Sequence, residues 1–150
     1  MELSTAILQL CAATLGCLCF SVIFNVRGRQ LLFTTLGGFL SWAIYLILHA
    51  LGMGMVSCYF LSSVLITVYA EICARCRRTP ATVFLVSAAI PLIPGSSLYA
   101  TMVYAVHLNG SMFLRQGLNT LLLSGAISAG IILVSTVMHA ISTYQRRHRN

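Results

Sequence analysis

The sequence predicts an all-α integral membrane protein with five transmembrane helices. The fourth is expected to break near mid-bilayer, with the N-terminus outside and the C-terminus in the cytoplasm. Three observations carry that expectation. First, of 150 residues 59% are apolar and 7% charged, and the mean hydropathy is +0.93, whereas an ordinary soluble domain is about 25% charged and about 45–50% apolar. Second, the apolar residues fall into five runs, each near or above the roughly 20 residues that a helix needs to cross a bilayer. Third, the nine basic residues, all arginine, sit mainly in the short gaps between runs. A soluble enzyme, a disordered chain and a nucleic-acid module are excluded. The net charge of +7 reads as a topology signal rather than as a polyanion-binding face.

The first run extends from about Leu3 to Phe24 and is ended by Asn25-Val26-Arg27-Gly28-Arg29, in which Asn25 suits a helix C-cap. It has no basic residues ahead of it and outlasts a signal-peptide core, so it is expected to be retained. The second runs from about Leu31 to Leu51 and closes at Gly52-Met53-Gly54. The third covers about Met55 to Ala74, followed by Arg75-Cys76-Arg77-Arg78-Thr79-Pro80. The fourth begins near Ala81 and reaches about His107, where Asn109-Gly110-Ser111 is expected to turn the chain. The fifth runs from about Gly117 to Tyr144 and ends in Gln145-Arg146-Arg147-His148-Arg149. The connections are too short to hold a soluble domain, so residues 1–150 are expected to form a single transmembrane domain. Eight of the nine arginines fall on the side of the first connection, third connection and C-terminal tail, against Arg115 alone on the other. The positive-inside rule then places the C-terminus in the cytoplasm. An odd number of spans also allows a homologous unit to insert upside down, the architecture of many transporters.

The fourth run contains Pro91-Leu92-Ile93-Pro94-Gly95-Ser96-Ser97 at its midpoint. Each interior proline removes a backbone donor and costs a helix about 3 kcal/mol. Non-helical backbone at that depth persists only where it is buried in protein or lines a polar cavity. Ser96 and Ser97 stand where a second half-helix would begin, and serine is a preferred N-cap. Free N–H groups and the positive dipole end there suit a carboxylate. Tyr99, one turn from Gly95, can add a hydroxyl. The substrate-binding candidates are therefore Pro94, Gly95, Ser96, Ser97 and Tyr99. The competing reading is a simple proline kink satisfied by neighbouring helices. Thr82 and Ser87, ahead of the break, are candidates to satisfy carbonyls freed by Pro91.

Phe24-Asn25-Val26, Glu71-Ile72-Cys73-Ala74-Arg75, Pro80-Ala81-Thr82-Val83-Phe84 and Pro91-Leu92-Ile93-Pro94-Gly95 through Tyr99 resemble the threonine/serine exporter family. The chain looks like the short subunit of its two-component members, equivalent to the C-terminal half of the fused exporters. The resemblance implies a larger homologous membrane subunit as partner, and export of threonine and serine or of a dicarboxylate such as succinate. Ser41-Trp42-Ala43-Ile44-Tyr45 departs from some dicarboxylate-type members in lacking a histidine and an arginine there.

Glu71 is the only acid within a run, and Arg75 follows at the favourable i,i+4 spacing. A clamp between the two is one reading; a gate or proton site is the other, with His139 of the fifth run as a further coupling candidate. Gly37-Gly38, and Gly125 and Ala129 with Ala126 and Gly130, have the small-residue spacing that lets helices approach closely, within the chain or against a partner. Five of the six cysteines lie inside apolar runs as packing residues, and Cys73-x-x-Cys76 has no second pair to make a metal site. Neither a cofactor nor a metal is expected. The function classes are a transport subunit in a prokaryotic cytoplasmic membrane, working in a hetero- or homo-oligomer, or a non-transporting assembly subunit. An enzyme is disfavoured by the absence of paired carboxylates or a nucleophile–base set.

Overall fold

The computed structural model describes residues 3–147. Arg149 and the side chains of Arg146 and Arg147, on which the expected orientation partly rests, lie outside the described residues. Six α-helices follow one another, α1 (Leu3–Ile23), α2 (Arg29–Ala50), α3 (Met55–Arg77), α4 (Ala81–Ala89), α5 (Gly95–Val106) and α6 (Gly110–Arg147), with a 3-10 turn at Ile90–Leu92 between α4 and α5. Among the described residues there is no strand. Helices α1, α2, α3 and α6 are each long and apolar enough to cross a bilayer. Ala81–Leu92 and Gly95–Val106, bent by 55° at the break, make a fifth span when taken together. The protein is a multi-pass membrane protein.

The distribution of side chains follows from a lipid solvent. Leu8, Ile23, Leu32, Leu121 and Ile132 are all more than half exposed, while Ser21, Thr34, Ser41, Ser62, Ser63 and Thr67 are fully buried. Small hydroxyls are tolerated inside because most turn back onto their own helix. Ser41 donates to the Gly38 carbonyl (2.9 Å), Ser63 to that of Phe60 (2.7 Å) and Thr67 to that of Ser63 (2.6 Å). Such residues also let helix backbones come close, which is the main source of attraction between helices in lipid.

Helix α2 is central and packs against α1, α3 and α4; α3 packs against α6, and α5 against α6. Gly37 and Gly38 permit the close contacts of α2. A Cβ on Gly38 would overlap the Cys17 side chain of α1, and one on Gly37 would lie 2.9 Å from the Ala88 Cβ of α4. Gly130 of α6 plays the same part against Ser63 and Phe60 of α3, whereas Gly125 faces open space. The small-residue pattern of α6 is thus divided between an inner and an outer face.

The connections are short because helices end in left-handed caps. Asn25 (φ 58°) ends α1, with the Val26 N–H donating back to the Ser21 carbonyl (3.0 Å). Gly52 (φ 80°), Arg78 (φ 51°) and Leu108 (φ 54°) do the same for α2, α3 and α5. The six-to-one bond that follows each of these residues is the signature of the Schellman motif. Helix α6 starts at Gly110 rather than near Gly117. Asn109 caps it, its Oδ1 accepting from the Met112 N–H (3.4 Å) and its carbonyl from Phe113 (2.9 Å). The expected turn at Asn109-Gly110-Ser111 is therefore displaced to His107-Leu108, and Gln116 falls inside the helix.

Candidate functional site

The break is built by its two prolines. Pro91 cannot donate to the Ser87 carbonyl, nor Pro94 to that of Ile90. The Ile93 N–H takes up the Ile90 carbonyl (3.1 Å). Pro94 (φ −76°, ψ 59°) then closes a three-residue turn in which the Gly95 N–H donates to the Ile93 carbonyl (2.7 Å), the inverse γ geometry. The Ser87 carbonyl is taken by the Cys17 thiol of α1 (3.1 Å). The expectation that Thr82 or Ser87 would supply such a donor is corrected: the Ser87 hydroxyl is buried without a partner, and the donor comes from 70 residues away.

The expected serine N-cap is corrected too. Pro94 is the N-cap of α5 and no side chain caps it, so Ser96 and Ser97 sit inside the first turn. The Gly95 amide is used by the γ-turn. Those of Ser96 and Ser97 have no preceding helical turn to accept from them and remain available, as at any helix start. Ser97 points at α6, where its hydroxyl lies 2.8 Å from Thr120 Oγ1 and accepts from Gln116 Nε2 (3.1 Å). Thr101, one turn on, lies 3.2 Å from the same Thr120 hydroxyl. The pairs 97/101 and 116/120 face each other because the tight Leu108 cap folds α5 back antiparallel to α6, and i,i+4 residues share a helix face.

Beside this network is a cavity of about 270 Å³ lined by Pro94, Ser96, Ser97, Gln116, Asn119 and Tyr59, among others. Its lining has hydroxyl and amide groups but no ionisable carboxylate, histidine or guanidinium. Tyr59 forms one wall and is backed by aromatic rings. Its ring centroid is 4.9 Å from that of Tyr45, which stacks on Trp42 at 4.8 Å.

The structure thus brings Pro94, Ser96 and Ser97 together. Gly95 is beside them, and a Cβ placed there would meet nothing within 4 Å. Tyr99 is not among the lining residues; two positions beyond Ser97, it points away from α6 and is 71% exposed. Glu71, Arg75 and His139 are elsewhere. Glu71 is 12 residues along α3 from Tyr59, or about 18 Å at helical rise. The expected Glu71–Arg75 clamp is not formed. Arg75 instead donates to the Met138 carbonyl of α6 (3.2 Å), and among the described residues it has no ion pair. An exposed i,i+4 pair contributes only about 0.3–0.5 kcal/mol, so a carbonyl on the neighbouring helix competes well for the guanidinium. His139 follows Met138 on α6 and is exposed.

Gln116, Asn119, Thr120, Thr101 and Tyr59 escape a reading of the sequence alone. Their one local signal is the polar set Gln116, Asn119 and Thr120 at i, i+3 and i+4 in an apolar helix, which is visible only once α6 is known to begin before Gly117.

A family model described as Threonine/Serine exporter, ThrE matches residues 9–137. No solved structure matches the chain. The match takes in the small-residue contacts of α2, the whole of the broken span and the α6 side of the cavity. The chain belongs to the threonine/serine exporter family.

Proposed function

We propose that this chain is an export subunit for threonine and serine, binding its substrate in the cavity beside the break and working with a larger homologous membrane subunit. The observation that carries this reading is the chemistry of the cavity, lined by Ser96, Ser97, Gln116 and Asn119 with no fixed charge. A hydroxyl and a zwitterionic backbone match those donors and acceptors. The substrate carboxylate meets the amides of Ser96 and Ser97 at the positive end of α5. Succinate suits the site less well, because its two negative charges would stand beside neutral dipoles with nothing to offset them, whereas a zwitterion carries its own counter-charge. Transport proceeds by alternating access around the break. The C-terminus is cytoplasmic in this reading, from the arginine distribution. Glu71, Arg75 and His139, remote from the cavity, are assigned to gating or coupling rather than to substrate.

The test is export from cells loaded with a threonine- or serine-containing dipeptide, or with succinate. The chain is expressed alone and then with its larger homologue, and membrane levels of each are checked. The expected result is threonine or serine export only on co-expression. Export by the chain alone would point to a homo-oligomer. Export of succinate alone would overturn the substrate assignment. No export with both subunits present in the membrane would favour an assembly subunit.

A further inference from the structure

We infer that Cys17 is a positioning residue for the break: its thiol donates to the carbonyl that Pro91 leaves without an amide, and so holds the frame on which Ser96 and Ser97 meet substrate. The structural half of this inference stands by itself; its consequence for export rests on the function proposed above.

Three helices meet at this sulfur. Cys17 belongs to α1 and is fully buried. Its Sγ lies 3.1 Å from the Ser87 carbonyl of α4 and 3.2 Å from the Thr34 carbonyl of α2. A thiol has one proton, and the two acceptors are not equivalent. Thr34 lies inside α2, where the amide four residues on serves its carbonyl. Ser87 stands four residues before Pro91, which has no N–H to give. The orphaned carbonyl therefore has the stronger demand. Neither the Ser21 nor the Ser87 hydroxyl serves this carbonyl, both being buried without a partner. Gly38 brings the sulfur to this position, because a Cβ there would overlap the Cys17 side chain. The glycine of α2, the cysteine of α1 and the first proline of the break act as one device.

A bond to a proline-orphaned carbonyl makes a specific prediction, because restoring the amide removes the need for the thiol. The experiment is a double-mutant cycle of Cys17→Ala, Pro91→Ala and the pair, with Cys17→Ser as the conservative variant. It is read both as melting temperature in detergent and as threonine or serine export per inserted complex. Cys17→Ala is expected to lower the melting temperature and to reduce export about tenfold, the scale of leaving a buried carbonyl unmet. Cys17→Ser, which keeps a donor, should stay within about threefold of the parent. In the Pro91→Ala background Cys17→Ala should lower the melting temperature no further. An equal drop with and without Pro91 would overturn the inference, showing that Cys17 acts by packing against Gly38. So would a Cys17→Ser variant as impaired as Cys17→Ala. Should the parent complex export nothing, the function proposed above fails, and the melting-temperature cycle still decides the role of Cys17.

Discussion

The two halves of the broken span are equal in length, Ala81–Leu92 and Gly95–Val106, yet they are held in different ways. The first is wedged among α1, α2 and α3. Phe84, Ala88 and Leu92 are fully buried, and the Cys17 thiol ties its free carbonyl to α1. The second packs on α6, with Ser97 its only buried residue. Tyr99, Met102 and Val106 are 71%, 61% and 81% exposed. Packing against three helices fixes α4, whereas α5 packs chiefly on α6 and is joined to it by the hydroxyl and amide contacts of Ser97 and Thr101 with Gln116 and Thr120. The candidate substrate groups lie at the join, on the lightly held side. A site that must open and close is better served there than inside the bundle, because elements that move are drawn from the low-stability end of a structure.

The contrast breaks if truncation costs the same on both sides. Phe84→Ala should destabilise the protein by about 3–5 kcal/mol, as for a fully buried aromatic. Tyr99→Ala on α5 should stay within about 0.5 kcal/mol. Unfolding of the purified protein in detergent measures both, and equal losses would mean that α5 is packed as firmly as α4. Next in size is Gly38→Ala. Its added methyl would collide with Cys17 and should cost about 1–3 kcal/mol as an overpacked contact. Gly125→Ala faces open space, and should leave stability unchanged or raise it by up to about 1 kcal/mol through helix propensity. A large loss at Gly125 in the isolated chain would show that the outer face of α6 is already covered. Smaller again is Ser97→Ala, which removes the link to Thr120 and Gln116. Interhelical hydrogen bonds in membranes are worth on the order of 0.6–2 kcal/mol, so a modest drop in melting temperature is expected together with weaker export.

How much of this was legible beforehand depends on how local each feature is. Spans of about 20 apolar residues can be read from hydropathy along one dimension, and two prolines three residues apart announce a break wherever it packs. Asn25 could be read as a cap because left-handed backbone favours asparagine among non-glycine residues. Arg78 and Leu108, which take the same conformation, carry no such signal. The Ser96 and Ser97 N-cap was expected in the wrong register, because the γ-turn at Pro94 starts the helix a residue or two early. The Glu71–Arg75 clamp failed because the i,i+4 rule does not see the Met138 carbonyl on another helix. Gln116, Asn119 and Tyr59 were invisible for the same reason: only the fold brings them to one cavity.

The substitution that should matter most for export is expected to cost no stability. Gly95 is the first residue of α5. Its φ is not positive, and a Cβ there would meet no atom within 4 Å. Gly95→Leu therefore strains no backbone and displaces no neighbour, and helix propensity favours leucine by up to about 1 kcal/mol. Its melting temperature should equal or slightly exceed the parent's. Its isobutyl group, however, would stand at the helix start one residue before Ser96, whose amide the substrate carboxylate is proposed to meet. Export should then be abolished while insertion and assembly with the proposed larger subunit are kept. The two readouts separate the frame from the site, which a buried residue such as Phe84 could never do. Wild-type export by a well-expressed Gly95→Leu chain would remove the break from the substrate path and leave the α5–α6 network as a structural joint alone.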